Sequence, residues 1–269
     1  MPPSLNKNPS ISAYFQRALH TSPPAKRART MPTTVDPATL PTIVDTHKEG
    51  SSDAYKPDAK LNARISIWRG DITKLKADMI VNAANKSLMG GGGVDGAIHR
   101  AAGKELLREC AGLGGAETGE TKLTKGYNLP AKYIGHTVGP VYGEGRKEKC
   151  AQLLKSCYQS ALELCAENGG GSIGFPSVST GIYGYPIRDA THIALKTTRE
   201  FLEKNDKITR VVYVVFQEKD EKVYNELVTE YFPIEAKAGG EAGAEGGEKA
   251  KETKGQEGEE VSELTNGDG

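Results

Sequence analysis

Several features are scarce or missing in this sequence, and each absence narrows the class of protein. No apolar run approaches the roughly 20 residues that a membrane-spanning helix needs, so we expect a soluble protein. The four cysteines are Cys110, Cys150, Cys157 and Cys165, and no two of them form a C-x-x-C pair. All four lie in segments with helical periodicity, which favours buried thiols in a reducing, intracellular compartment over disulfides or a zinc site.

The chain also has no net charge, although basic residues are concentrated at one end and acidic residues at the other. The formal net charge is zero and the middle of the chain is close to neutral, so we expect no direct, sequence-specific binding of nucleic acid. Residues 1–35 contain five Lys or Arg and no acidic residue, whereas 235–269 contain ten acidic residues and four lysines. We interpret 1–59 as a basic, Ser/Thr/Pro-rich and largely disordered extension, 60–234 as one domain, and 235–269 as an acidic disordered tail.

Within the extension, Pro, Ser and Asp interrupt every pattern from 36 to 60, which predicts a loose lead-in to the domain. RALHTS at 17–22 resembles a mitochondrial presequence and PAKRAR at 24–29 resembles a nuclear localisation signal, so the expected address is the nucleus or the mitochondrion. The segment from Asn8 to Phe15 resembles a degenerate sliding-clamp-binding motif. Asn8 replaces the usual leading Gln there, which favours chance as the explanation.

Strand and helix patterns alternate through the middle of the chain. Strands are predicted at 63–70, 78–83, 172–178 and 210–217, with a shorter pair at 121–127 and 132–139. Helical patterns cover 97–110, 147–167, the segment after Pro186, and 221–232. This alternation predicts an α/β fold with a mainly parallel sheet, whose ligands collect at the carboxyl ends of the strands.

Two glycine-rich segments follow predicted strands, at the edge of the sheet where ligands are expected. The first is VNAANKSLMGGGGVDG from Val81 to Gly96, and the second is STGIYGYP at 179–186. Four adjacent glycines contribute no side-chain burial, so we infer that a ligand lies against the bare backbone. N–H groups between a strand and a helix N-terminus favour an anion. The residues therefore predict a phosphate-containing ligand held between two loops.

Five residues at the predicted strand ends and in the first glycine loop have both a functional and a structural interpretation. Asp71 could accept a hydrogen bond from an exocyclic amine such as that of adenine, or it could cap the next turn. Phe216 could stack on a base or belong to the core. Asn82 and Asn85 could bind sugar hydroxyls or satisfy loop backbone groups. Asp95, the lone carboxylate of the first loop, could be an N-cap or a functional acid that the helix dipole keeps ionised.

Established signatures for other chemistries are missing. GGGGVDG has neither the spacing of a Rossmann fingerprint nor the Gly-Lys-Ser/Thr of a Walker loop. The five histidines are scattered along the sequence, so we expect no metal-ligand cluster. His99 lies one helical turn after Asp95 and could hydrogen-bond to that carboxylate, although such a histidine is more often structural.

Five segments together resemble a macrodomain of the MacroD type. They are GDIT at 70–73, VNAAN at 81–85, GGGGVDGAIHRAAG at 90–103, GETKLTKGYNLPAKYIGHTVGP at 119–140 and STGIYGYP at 179–186. The resemblance covers about 60–232 and implies a three-layer α/β/α sandwich with a central mixed, mostly parallel sheet. It also implies binding of ADP-ribose, with no metal and no cofactor.

The resemblance implies a role for each matched position. Asp71 would contact the adenine amine with the Ile72 backbone beside it, and Phe216 would stack near the base. The loop of Ser179, Thr180, Gly181, Ile182, Tyr183 and Gly184 would cradle the pyrophosphate, with Tyr183 against the distal ribose. Asn85 would hold a hydroxyl of that ribose, and Gly91, Gly92, Gly93, Val94 and Asp95 would wrap its anomeric end.

The activity implied by the resemblance is removal of ADP-ribose from acidic side chains of mono-ADP-ribosylated proteins, together with deacetylation of O-acetyl-ADP-ribose. Both substrates are esters of the distal ribose, so one geometry serves both, with Asp95 and Asn85 as the catalytic residues. Either Asp95 or the ligand's own phosphate would activate the attacking water. The alternatives are a non-catalytic reader of ADP-ribose and a phosphatase acting on ADP-ribose 1''-phosphate. The carboxylate in the first loop favours the hydrolase over the reader.

Overall fold

The computed structural model describes residues 34–235, in which six strands form one sheet with helices on both faces. The strands are β1 Ile65–Arg69, β2 Met79–Ala84, β3 Thr121–Lys125, β4 Tyr133–Val138, β5 Gly171–Phe175 and β6 Ile208–Val215. The helices are α1 Ile43–Thr46, α2 Ala59–Asn62, α3 Gly93–Ala102, α4 Lys104–Gly112, α5 Lys147–Glu167, α6 Ile187–Leu202 and α7 Glu218–Tyr231. The signals predicted at 8–15, 17–22 and 24–29, and the tail from residue 236 onwards, lie outside the described residues.

The strand order across the sheet is β1-β6-β5-β2-β4-β3. Every neighbouring pair is parallel except β3 and β4, which form an antiparallel pair at one edge. The expectation of a mixed, mostly parallel sheet is therefore confirmed. The carboxyl ends of β2, β5 and β6 lie side by side, and both glycine loops leave the sheet from this edge.

Alternate side chains of the central strands point into two separate cores. On β2, Met79 and Val81 belong to the core covered by α5, α6 and α7, whereas Ile80 and Ala84 belong to the core covered by α3 and α4. Strands that are buried on both faces read as continuous apolar runs, which is why DMIVNA indicated a central strand. Two helical layers with the sheet between them make the predicted three-layer sandwich.

The helices carry all four cysteines, which are buried and unpaired as the sequence predicted. Cys110 lies on α4, and the other three lie on α5. Among the helices of residues 34–235, none has the length and apolar character that crossing a bilayer would require.

The single helix predicted for 97–110 is instead two helices, α3 and α4, which meet at Gly103. This glycine has a φ of +92°, in the left-handed region, and a Cβ built there would lie 2.6 Å from Asn128 Nδ2. The helical repeat continues through the break, so periodicity alone did not reveal it. Helix α3 also begins at Gly93, before the predicted start, which places Asp95 in its first turn.

The segment 36–60 is not the loose lead-in that the sequence predicted, and together with Val35 it packs on the domain. Val35 forms a bridge with Leu75, and Gly50 forms another with Ile234 near the end of the domain. Ile43 on α1 is 1% exposed and belongs to the larger core. The apolar residues here, among them Val35, Leu40 and Ile43, are few and have no helix or strand periodicity, so the sequence pattern did not show that the segment packs on the domain.

We expect Ile43→Ala to lower the free energy of unfolding by about 2–5 kcal/mol, the usual cost of truncating a fully buried aliphatic side chain. The neighbouring Val44 is 37% exposed, so Val44→Ala is the matched control and should change stability by no more than about 0.5 kcal/mol. Chemical denaturation measures both changes. Equal, small effects at the two positions would show that 34–59 adds nothing to the stability of the domain.

Candidate functional site

A cleft of about 710 Å³ opens at the carboxyl edge of the sheet, between the two glycine loops. This volume lies within the roughly 300–1,000 Å³ of sites that enclose small ligands. The predicted site residues that line it are Asp71, Ile72, Asn85, Gly91, Gly92, Gly93, Val94, Asp95, Ser179, Thr180, Gly181, Ile182, Tyr183 and Phe216. Gly184 does not line the cleft. Its N–H donates to Gly181 O (3.0 Å), so it shapes the second loop from behind.

The first glycine loop, Gly90 to Gly93, packs closely against the start of α3. A Cβ on Gly96 would lie 2.3 Å from Gly91 O, so the helix reaches the loop only because residue 96 lacks a side chain. A Cβ on Gly91 would lie 3.1 Å from Asp95 Oδ2. The N–H groups of Gly91 and Gly92 donate to no acceptor within residues 34–235, and those of the first helical turn have no partner inside the helix.

The second loop, Ser179 to Gly184, presents a further set of unbonded N–H groups. Those of Gly181, Ile182 and Tyr183 find no acceptor in the described part of the chain. The loop is held from behind, because Tyr142 N donates to Tyr183 O (2.9 Å). Ser179 has a φ of +66°, an uncommon conformation for a residue with a side chain. Amides from both loops therefore converge on one cleft, which is the arrangement that binds anions.

Asp71 and Phe216 stand at the ends of the neighbouring strands β1 and β6. Asp71 Oδ1 accepts from Thr73 N (3.0 Å) and Thr73 Oγ1 (2.7 Å), so the capping interpretation is correct. Its other oxygen, Oδ2, has no hydrogen bond within residues 34–235 and is available to a ligand. Phe216 is 82% exposed and lines the cleft, which excludes the interpretation that it is a core aromatic.

The side chain of Asn85 forms hydrogen bonds within its own loop, which is the structural interpretation that the sequence left open. Its Nδ2 donates to Gly90 O (2.9 Å), and its Oδ1 accepts from Ser87 N (3.0 Å) and Ser87 Oγ (2.6 Å). The side chain still borders the cleft, and its amide has a second hydrogen to donate. Asn85 thus shapes the first loop while keeping one donor for a ligand.

Asp95 is the buried carboxylate of the cleft, only 3% exposed. Its Oδ1 accepts from Asn82 Nδ2 (2.8 Å), and His99 Nε2 lies 3.5 Å from the same oxygen. Burial raises the pKa of Asp95, while the Asn82 hydrogen bond and the nearby His99 act in the opposite direction. The loss of hydration thus opposes the helix dipole, which we expected to keep this carboxylate ionised.

A polar cluster behind Asp95 corrects the expectation that the histidines are scattered. Nitrogens of His99 and His136 and the sulfur of Cys110 lie within 4.8 Å of one another. His136 Nε2 is already hydrogen-bonded to Thr124 Oγ1 (2.8 Å), and burial raises the pKa of the Cys110 thiol to about 11. A metal ion here would have to displace that hydrogen bond and the thiol proton. The contacts are those of a hydrogen-bonded network.

Comparisons with known proteins agree with this architecture. The family described as Macro domain matches residues 81–194. The macro domain-containing protein CT2219 of Chlorobaculum tepidum is 53% identical over 167 residues, which cover 62% of this chain and 96% of that protein. This chain is a macrodomain of the MacroD type. The ADP-ribose glycohydrolase MACROD1 of Mus musculus is 53% identical over 182 residues, 67% of this macrodomain chain and 56% of the mouse protein.

A solved structure places a ligand in a similar macrodomain. The Trypanosoma brucei macrodomain in complex with ADP-ribose has a TM-score of 0.65 and 45% identity, over 74% of this chain and 78% of that one. This chain spans about half the length of the curated animal relatives that it matches first.

Sequence reasoning missed several residues that line the cleft of this macrodomain. Gln217, Lys219 and Asp220 follow β6 and open α7, beside Phe216. Asp220 is 9% exposed, and burial raises its pKa. The rule that ligands collect at strand ends would have pointed to this segment, because Phe216 was assigned to the same rim.

We expect Asp95→Asn to raise the melting temperature of the macrodomain at neutral pH. The pKa of Asp95 is raised by folding, so its contribution is favourable below the unfolded pKa and is lost as the pH rises through the folded pKa. The advantage of the Asn variant should therefore shrink as the pH falls. Thermal denaturation between neutral and acidic pH measures it, with Asp53→Asn at an exposed carboxylate as the control. A variant that is less stable at every pH would contradict the assignment.

Proposed function

We propose that this macrodomain hydrolyses the ester that joins ADP-ribose to an acidic side chain of a protein, and that it also deacetylates O-acetyl-ADP-ribose. The observation that carries the proposal is one buried carboxylate, Asp95, beneath a glycine loop whose amides face a ligand-sized cleft. The name of the mouse relative, an ADP-ribose glycohydrolase, supports it. The ligand of the trypanosome structure supports ADP-ribose as the group that is bound.

In the proposed complex, ADP-ribose extends along the whole cleft. Adenine lies against Phe216 with its exocyclic amine donating to Asp71 Oδ2, the oxygen that capping leaves free. The pyrophosphate accepts hydrogen bonds from the amides of the second loop. The distal ribose lies against Gly91 to Gly93, close to Asp95 Oδ2, where the lack of side chains lets the sugar approach the backbone.

The reaction needs little help from an acidic group of the protein, because the leaving group is a carboxylate. A water molecule attacks at the ester linkage, the bond between the ribose and the side-chain carboxylate breaks, and that carboxylate leaves as a weak base. Asp95 Oδ2 is placed to orient the water or to accept its proton. Holding water and ester in one geometry supplies much of the acceleration, because it removes the entropic cost of bringing them together.

Release of ADP-ribose from a Glu-modified protein, measured in single-turnover experiments with a chelator present, tests the activity. Asp95→Ala should reduce turnover by about 10²-fold or more, the usual scale for a positioned acid–base group. The affinity for free ADP-ribose should fall much less, since the loop amides remain. Gly92→Glu is the binding-deficient control, because its side chain would fill the space beside Ile182. A wild-type protein that binds ADP-ribose and releases none would be a reader.

Asp71 can be tested without disturbing the turn that it caps. Serine is an equally good N-cap, so Asp71→Ser keeps the hydrogen bond to Thr73 N and removes only the free carboxylate oxygen. We expect an unchanged melting temperature and a binding free energy for ADP-ribose weakened by about 1.5–3 kcal/mol, the range for a hydrogen bond to a charged group. If calorimetry shows unchanged affinity, Asp71 has only the structural role of capping the turn.

A further inference from the structure

The network behind Asp95 begins with a pair of residues that the sheet register places opposite each other. Asn82 on β2 and His136 on β4 are partners in the parallel ladder, and both are fully buried. Their side chains lie on the face that is covered by α3 and α4, a face that is otherwise largely apolar. Polar groups in such surroundings are costly unless they bond to one another.

The hydrogen atoms of the network can be assigned by counting donors and acceptors. Asn82 Nδ2 lies 2.8 Å from Asp95 Oδ1 and 3.0 Å from His136 Nδ1. The amide nitrogen has two hydrogens, so it serves both partners if Nδ1 carries a lone pair. The ring proton then sits on Nε2 and is donated to Thr124 Oγ1 (2.8 Å). Burial keeps this ring neutral, since it lowers the pKa of His136 to about 3.

The opposite orientation of the Asn82 amide would undo this arrangement. A flip would place Oδ1 where Nδ2 now stands, facing both Asp95 Oδ1 and the lone pair of His136 Nδ1. An oxygen acceptor beside an ionised carboxylate is repulsive, and the imidazole nitrogen would lose its donor. With its proton on Nε2, His136 therefore favours the amide orientation that Asp95 needs, although it does not touch the carboxylate.

We propose that His136 is a positioning residue for hydrolysis: its Nδ1 lone pair holds the Asn82 amide with its N–H groups towards Asp95. The inference rests on the proposed hydrolase function. Asn82 in turn holds Asp95 Oδ1 and leaves Oδ2 facing Gly91, where the ligand approaches. Thr124 completes the chain, because its hydroxyl oxygen can accept the proton that this ring carries on Nε2.

Few other groups can influence the ionisation of Asp95 in the described part of the chain. His99 faces it from its own helix, Cys110 lies nearby on α4, and His136 lies on β4. Strand β2 contributes Asn82, which carries no charge. His99 Nε2 is buried without a hydrogen bond to any described residue, so the short hydrogen bond that Asp95 receives from a side chain is the one from Asn82.

His136→Leu removes the Nδ1 acceptor and lets the Asn82 amide turn. We expect kcat for release of ADP-ribose to fall by about 10-fold or more, while the Kd for ADP-ribose stays within about twofold. The acidic limb of the kcat–pH profile should move to higher pH, because Asp95 loses a donor that favours its ionised form. His136→Asn, whose Oδ1 can accept in place of Nδ1, should retain most of the activity.

Thr124→Val is the second variant, in case the histidine substitution prevents folding. It leaves the Nε2 proton buried without an acceptor, which favours the tautomer with the proton on Nδ1, and Nδ1 then becomes a donor instead of an acceptor. We expect the same shift of the acidic limb as for His136→Leu. Thr197→Val, at an equally buried threonine on α6, is the matched control and should leave the profile unchanged.

The ionisation of Asp95 can be measured directly, which keeps the test independent of turnover. The carboxyl carbon of Asp95, followed by 13C NMR, should titrate at higher pH in Thr124→Val than in the wild type. An unchanged titration and pH profile in folded variants would overturn the positioning role, even if stability fell. Absence of release by the wild type would overturn the proposed function instead, so the two failures are distinguishable.

Discussion

The burial of one carboxylate shapes the structure around the cleft. Asp95 loses most of its hydration, which raises its pKa, and a single amide hydrogen bond from Asn82 offsets part of that cost. The first loop must pass closely over the acid, and Gly91 and Gly96 are the positions where a Cβ would collide with or crowd the surrounding atoms. The glycines therefore allow the acid to lie under the loop as well as allowing a ligand to approach it.

The parallel sheet gives the cleft its anion-binding character. Parallel strands end at the same edge, so the loops after β2 and β5 meet there with their N–H groups unbonded, and Ile182 comes within reach of Gly92. The residues that carry these amides are mostly exposed, so water satisfies the N–H groups in the free protein. A ligand that supplies oxygen atoms replaces this water and can bond to the amides of both loops, which is a physical reason for the two loops to act as one site.

Side-chain atoms around the acid show a similar departure from ordinary packing. Asn82 Oδ1 and His99 Nε2 are buried without a hydrogen bond to any described residue. Elsewhere the sheet faces are filled by aliphatic and aromatic side chains in two cores. Local sequence rules are most often broken at functional sites, where chemistry requires groups that packing alone would exclude.

The sequence by itself determined the strands, the alternation of layers, both glycine loops and the candidate acid, because periodicity, glycine and strand-end position are local properties of the chain. Only the tertiary structure decided which side chains meet. His136 lies 54 residues from Asn82, and their contact depends on parallel register and on the face of the sheet to which each points. The burial of Ile43 and the break at Gly103 also depend on contacts with distant segments, and no local pattern encodes such contacts.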